Sequence, residues 1–179
     1  MEKVCGYFDC EIEARFENMR TEETNCANFF SDITRTEFEN CDLALFHSGT
    51  LRSNSIIPRG DVTIGMMNEL IPMPDKVILM RISGDIVLSI LENAVSEWPS
   101  HDGRFACVSG LKFSFDPDYP AGSRVHSVKQ LDGHPFDLSR DAKYNLAVMQ
   151  YIAMGRDGYD ALRDPSVEWL VDAEAAMTF

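Results

Sequence analysis

The sequence predicts an α+β fold, a mixed β-sheet with helices packed on it, and three observations carry that prediction. KVILMRI, a strand-like run, passes directly into SGDIVLSILENAVSEW, whose apolar residues recur at helical spacing. NCANFFSDITRTEF shows the same helical recurrence earlier in the chain. The second half instead alternates apolar and polar residues in LKFSF and RVHSVKQL and adds the strand-like KYNLAVM. Together these runs give a mixed sheet carrying two or more helices.

Taken in order, Val4 to Phe16 alternates enough to predict a strand or hairpin arm, followed by a polar stretch from Glu17 to Thr24. Asn25 is a candidate N-cap, because its side-chain oxygen can accept from a free backbone N–H. Cys26, Phe29, Phe30 and Ile33 then form the apolar stripe of a short helix. Asp42 to Phe46 (DLALF) predicts a buried strand running into HSGTLRSN, where Ser48, Gly49, Ser53 and Asn54 favour turns. GDVTIGMMNEL suits a strand end and a short helix, and the two prolines of IPMPDK forbid regular structure after it.

Ser83 is placed to cap the long helix, and Asp85 sits near its positive end. Val87, Ile90, Leu91, Ala94, Val95 and Trp98 share one face of that helix and predict core packing against the sheet. ACVSG reads as a strand entry, FDPDYPAGS as a turn-rich connection, and Asp132-Gly133 as a hairpin turn. YIAMGRDGYDAL is expected to be a loop with glycines on either side of Arg156-Asp157, and the tail is acidic and weakly patterned.

The 179 residues form one domain, 1–179, long enough to bury a substantial core. Apolar residues make up 45% and charged residues 25%, an ordinary balance for a globular protein. No apolar run approaches the roughly 20 residues of a membrane-spanning helix. The N-terminus lacks the basic-then-apolar layout of a signal peptide, although a longer parent protein could carry a targeting segment, so the compartment stays open. With 16 basic against 29 acidic side chains the net charge is −13, which argues against nucleic-acid polymers as partners. A small anion needs only a few well-placed cations and is not excluded. Cys5, Cys10, Cys26, Cys41 and Cys107 are odd in number and form no CxxC pair, which predicts reduced, mostly buried thiols.

His47, His101, His126 and His134 show no metal-ligand spacing, and neither a GxSxG elbow nor a phosphate-binding GxxxxGK[ST] loop is present. A binding surface is easier to build from this inventory than a reaction centre. Three loops supply it: the approach to the first helix with Arg20, Asn25 and Asn28; HSGTLRSN with His47 and Arg52; and YIAMGRDGY with Tyr151, Arg156 and Asp157. Arginine grips phosphate or carboxylate through a bidentate fork, tyrosine offers a flat face, and aspartate accepts from hydroxyls.

These segments meet a known pattern. TEETNCANFFSD resembles an E-T-N-L-G-N helix entry, LFHSGTLRSN an N-G-G-x-I-R loop, and IPMP an L-P-F turn. VSGLKFSFDP is similar to V-S-G-L-x-F-x-F-D-P and YIAMGRDGY to F-L-A-x-G-G-D-G-F, with VILMRISGDIVLSILENAV between them in the same order. The chain from about Val4 to Tyr159 thus resembles the C-terminal domain of the 5'-nucleotidase family, which includes UDP-sugar hydrolases and related phosphoesterases, in a branch seen in fungi, protists and some bacteria.

That resemblance implies a division of labour. An N-terminal metallophosphatase domain holds two divalent metal ions and hydrolyses the phosphoester, while the C-terminal domain holds the nucleoside part. The D-x-H and G-N-H-[DE] signatures of the metal domain are absent here, so this chain alone is expected to bind no catalytic metal and to be inactive. By position, Arg20 and Arg52 match arginines that contact polar and anionic groups, Tyr151 matches a base-stacking aromatic, and Asp157 matches the aspartate that binds ribose hydroxyls. His47 stands where the family has asparagine, Met73 where it has a second stacking aromatic, and Arg156 where it has glycine. These departures leave open a nucleotide held by different base contacts, a sugar phosphate or other phosphoester, or a non-catalytic module that has lost its ligand. The carry-over requires Arg20, Arg52, Met73, Tyr151 and Asp157 to converge on one face. Coordinates placing Arg52 and Asp157 on opposite sides of the sheet would refute it.

Overall fold

A computed structural model describes residues 3–171, so the end of the acidic tail lies outside the described residues. The strands are β1 (Val4–Phe8), β2 (Ile12–Glu13), β3 (Leu43–His47), β4 (Ile56–Ile57), β5 (Gly60–Thr63), β6 (Val77–Ser83), β7 (Ala106–Ser109), β8 (Leu111–Phe115), β9 (Val125–Gln130), β10 (Lys143–Met149) and β11 (Glu168–Val171). The helices are α1 (Phe16–Met19), α2 (Asn25–Thr36), α3 (Ile64–Leu70), α4 (Gly84–Val95) and α5 (Gln150–Ala153). Shorter 3₁₀ turns occupy Ser48–Thr50, Arg156–Gly158 and Asp160–Arg163.

Five strands form the central sheet in the order β11-β6-β10-β3-β7. Only the β3–β10 pair is parallel; β6, β7 and β11 pair antiparallel with their neighbours. Every residue of β3 is buried, and along β6 only Arg81 is exposed. Strands of that kind need cover on both faces. Helix α2 packs over β3, β7 and β10, and α4 packs against β6 and β9. The rings of Phe30 on α2 and Phe46 on β3 stack at 5.5 Å. Val87, Ile90, Leu91, Ala94 and Val95 are buried as the stripe predicts, and Trp98 meets Phe115 edge-on at 6.0 Å. Strands β8 and β9 form a hairpin joined by the turn-rich segment FDPDYPAGS. The expected hairpin at Asp132-Gly133 is instead only a tight turn closed by a single Lys129–Pro135 bridge, because β10 pairs with β3 and β6 rather than with β9. β1–β5 and β2–β4 form two small ribbons.

Helix α2 departs from the sequence expectation in two ways. Its N-cap is Thr24, whose hydroxyl accepts from the Ala27 N–H at 3.2 Å. Asn25 is the first helical residue, and its side chain instead bridges the Glu13 N–H and the Glu11 carbonyl, tying the helix to the chain around β2. The buried face also turns away from Phe29 and Ile33, each 37% exposed, towards Cys26, Ala27, Phe30, Ser31 and Thr34. Ser31 and Thr34 are tolerated there because each hydroxyl donates to a carbonyl one turn back, Ala27 and Phe30 respectively. Ser83 stands at the N-cap of α4 as expected, but its hydroxyl turns to the Asp85 carboxylate rather than to a backbone N–H. YIAMGRDGYDAL is not an open loop: α5 and two 3₁₀ turns fill it. Burial pushes the Cys26 thiol up to about 12 and the Cys107 thiol higher still, which suits packing rather than nucleophilic roles. Among the described residues no helix is long and apolar enough to cross a membrane.

Removing the Phe30 ring leaves a hole against Phe46, so Phe30→Ala should cost about 3–5 kcal/mol in urea unfolding. Thr24→Ala should cost only about 1 kcal/mol, the worth of one cap.

Candidate functional site

Parallel pairing of β3 and β10, with Leu43 to Leu45 beside Leu146 to Val148, brings both strands out at the same sheet edge. Strands β6 and β7 run the other way and begin at that edge. Four connections therefore meet there: those leaving β3 and β10, and those entering β6 and β7. Those leaving β3 and β10 and that entering β6 line a cleft of about 450 Å³. His47, Arg52, Met73, Tyr151 and Asp157 all line it, so these sequence-selected residues do converge. Ligand clefts favour such carboxyl-terminal strand edges.

Asp157 is the most constrained of them. Its backbone is left-handed (φ 52°, ψ 37°), a conformation that costs a non-glycine residue about 1–3 kcal/mol and persists only where its surroundings hold it. Asn93 on α4 imposes it by donating from Nδ2 to the Asp157 carbonyl at 3.0 Å. The same asparagine leaves no room for a side chain at position 158, where a Cβ would fall 2.4 Å from its Oδ1; Gly158 also has φ +81°. On the carboxylate, Tyr151 Oη donates to Oδ1 at 3.0 Å, and His47 Nε2 lies 2.8 Å from Oδ2.

His47 ends β3 with only 5% of its surface exposed. The backbone of Gly49 closes over its ring, where a Cβ would come within 2.4 Å of Cε1, and Gly103 packs on Gly49 from outside. Gly49 N–H and Ser48 Oγ both donate to the Gly103 carbonyl, which locks the two loops together. Burial holds the imidazole below its ordinary range and outweighs the pull of the Asp157 carboxylate, which favours the neutral ring. Hydrogen bonding to Asp157 pushes the Tyr151 phenol up, which keeps it a donor.

Arg52 is exposed at the cleft mouth. Its Nε donates to the Gly49 carbonyl at 2.6 Å, and its backbone N–H donates to the Leu70 carbonyl. Among the described residues neither Arg52 nor Arg20 has an ion-pair partner. Arg20 does not line the cleft. Its guanidinium lies 3.9 Å over the Phe16 ring and donates to the His101 carbonyl, while its Nε is buried without a partner. Burial and the nearby Arg52 charge both lower its proton affinity, against the opposing pull of the Asp102 carboxylate. Arg156 turns instead to a neighbouring groove with Met154, Arg163 and Trp169.

Sequence reasoning missed several residues of the site. Asp75, Gln150 and Met154 line the cleft, and Asp75 accepts from the Tyr151 N–H at 3.0 Å, fixing the start of α5. Tyr159 is wholly buried and donates to the Arg104 carbonyl at 2.6 Å, tying the turn after Asp157 to the loop before β7. The GRDGY spacing was the only sequence signal for Tyr159, and Asn93 and Gly103 had none. Among the described residues no group of three or more His, Cys, Asp or Glu is arranged to hold a metal ion.

An exposed tyrosine ring, a fixed carboxylate and an arginine without an ion-pair partner among the described residues thus line one cleft of this α+β fold. The chain belongs to the 5'-nucleotidase C-terminal domain family, whose model matches residues 5–164. It is 28% identical over 170 residues to the trifunctional nucleotide phosphoesterase protein YfkN of Bacillus subtilis, covering 92% of this chain and 11% of that protein. It is 30% identical over 161 residues to a probable 5'-nucleotidase of Treponema pallidum, covering 83% and 27%. Among solved structures, a 5'-nucleotidase precursor from Thermus thermophilus superposes with a TM-score of 0.88 at 32% identity, covering 97% of this chain and 34% of that one. The chain thus spans about a third or less of these relatives.

The state of His47 sets a pH dependence. Because burial lowers its proton affinity, the unfolded chain takes up a proton more readily than the folded one as pH falls below the ordinary 6.5. This contribution to stability is therefore complete above pH 6.5 and declines below it. Urea unfolding should show stability falling between about pH 7 and about pH 5.5, with a shallower fall in His47→Gln. Equal slopes in the two proteins would contradict it.

Proposed function

We propose that this chain is the substrate-recognition domain of a 5'-nucleotidase-type phosphoesterase and holds the nucleoside part of a nucleoside 5'-phosphate. The observation that carries the proposal is the convergence of Tyr151, Asp157 and Arg52 on one cleft in a chain of this family. The half-exposed Tyr151 ring offers the stacking face for a base. The Asp157 carboxylate accepts from sugar hydroxyls. Arg52 at the mouth, with Arg20 beside it, attracts the phosphate in a chain that otherwise carries a net charge of −13. Hydrolysis belongs, on this proposal, to two divalent metal ions on an N-terminal metallophosphatase domain that acts as this domain's partner. The relatives' names, a nucleotide phosphoesterase and 5'-nucleotidases, support the substrate class.

Met73 favours a second reading. It is 51% exposed at the cleft, and a thioether grips a ring less rigidly than a second aromatic would. A ligand without a base, such as a sugar phosphate, would use Asp157 and Arg52 and leave only the face of the Tyr151 ring unused.

Calorimetric titration with AMP, UMP, adenosine and a sugar phosphate separates the two. On the nucleotide proposal AMP binds saturably, and Tyr151→Ala weakens it by about 1–3 kcal/mol, the worth of one stacked base. Arg52→Ala should weaken AMP far more than adenosine. Binding of the sugar phosphate without binding of AMP or adenosine would move the substrate to the second class.

A further inference from the structure

An ionised carboxylate offers about four acceptor positions on its two oxygens. The fold addresses two of those on Asp157: Tyr151 Oη donates to Oδ1, and His47 Nε2 faces Oδ2 at 2.8 Å. Nε2 is sealed from solvent and has no aligned hydrogen bond among the described residues. The ring cannot swing away, because Gly49 closes over Cε1 and Nδ1 and Gly103 backs Gly49. Nor can Nε2 reach a ligand itself, since Asp157 stands in front of it. Of the two neutral tautomers, only the one protonated at Nε2 suits this geometry. A proton on Nδ1 would set the Nε2 lone pair against a carboxylate oxygen at hydrogen-bond distance.

We infer that His47 is a positioning residue of the cleft. Its Nε2–H, acting through Asp157, orients the carboxylate so that each oxygen keeps one lone pair for the ligand. An acceptor held in that way takes one hydrogen from each of two adjacent hydroxyls, so the cleft prefers a vicinal diol to a ligand with one of those hydroxyls missing. This rests on the nucleoside reading of the site and adds to it the residue that sets sugar selectivity. The contact is short but off the N–H axis, and a small rotation of the carboxylate towards a bound diol completes it, as polar contacts in empty sites commonly tighten on binding.

Two experiments on the whole 179-residue chain test this. Nitrogen-15 NMR of the histidine rings should show the neutral His47 ring protonated at Nε2, and a ring protonated at Nδ1 would overturn the proposal whatever any variant does. Calorimetry should show AMP binding at least about tenfold more tightly than its 2'-deoxy analogue, the worth of a hydrogen bond to a charged group. His47→Leu should bring the two affinities within about twofold by weakening AMP alone, whereas His47→Gln, whose amide nitrogen falls near the Nε2 position, should keep the preference. An unchanged ratio in His47→Leu would overturn the proposal; should that variant fail to fold, the tautomer and the His47→Gln ratio still decide. Equal binding of both ligands by the unaltered chain would remove the diol preference and leave the nucleotide reading standing. Binding of neither would remove both.

Discussion

The parallel pairing of β3 with β10 is the constraint on which the rest of this structure depends. Two strands far apart in sequence, Leu43–His47 and Lys143–Met149, lie side by side and point the same way. Their carboxyl ends therefore open onto one edge, and continuing the register sets His47 level with Gln150. A shift of one residue would turn the imidazole to the opposite face of the sheet and separate it from Tyr151 and Asp157. The antiparallel placement of β6 and β7 then brings Asp75 and Gly103 to the same edge without any further device.

From that edge the cleft is assembled by local locks rather than by a rigid floor. Asn93 and Gly158 hold Asp157 in its left-handed conformation, Gly49 and Gly103 wedge His47, Asp75 anchors α5, and Tyr159 ties the following turn to the loop before β7. Each lock joins segments that come from different parts of the chain. Among the described residues Arg20 and Arg52 are left without carboxylate partners, although acidic side chains outnumber basic ones by 29 to 16. Lacking an ion pair does not itself set them apart, since the described ion pairs of arginine involve only Arg15, Arg59, Arg81 and Arg104. What distinguishes Arg52 is its place at the mouth of a concave site, where a cation can draw in a small anion.

The sheet was legible in the sequence because its strands follow simple patterns: β6 and β10 are apolar runs, and β8 and β9 alternate. Helix α4 was equally clear from Val87, Ile90, Leu91, Ala94 and Val95. Helix α2 was read with its stripe displaced, because Ser31 and Thr34 bury their hydroxyls against helix carbonyls and so look polar in sequence while packing as core. Asn25 looked like a cap because caps and strand-to-helix bridges use the same side-chain chemistry. The cleft residues His47, Arg52, Met73, Tyr151 and Asp157 were found through ordered motifs. Asn93, Asp75 and Gly103 act by three-dimensional contact alone and leave no local signature. Arg20 was grouped with the cleft by motif, yet its guanidinium rests on Phe16 and reaches the cleft only through its charge.

The central claim is that the β3–β10 edge is where this domain holds its ligand. Backbone amide shifts of the isotopically labelled chain, followed during titration with AMP, test it most directly. The account predicts saturable shifts at Gly49, Arg52, Gln150, Tyr151 and Asp157. Shifts confined instead to the second groove, between α2 and β8 with Phe105, Phe113 and Phe115, would place the ligand elsewhere and contradict the account.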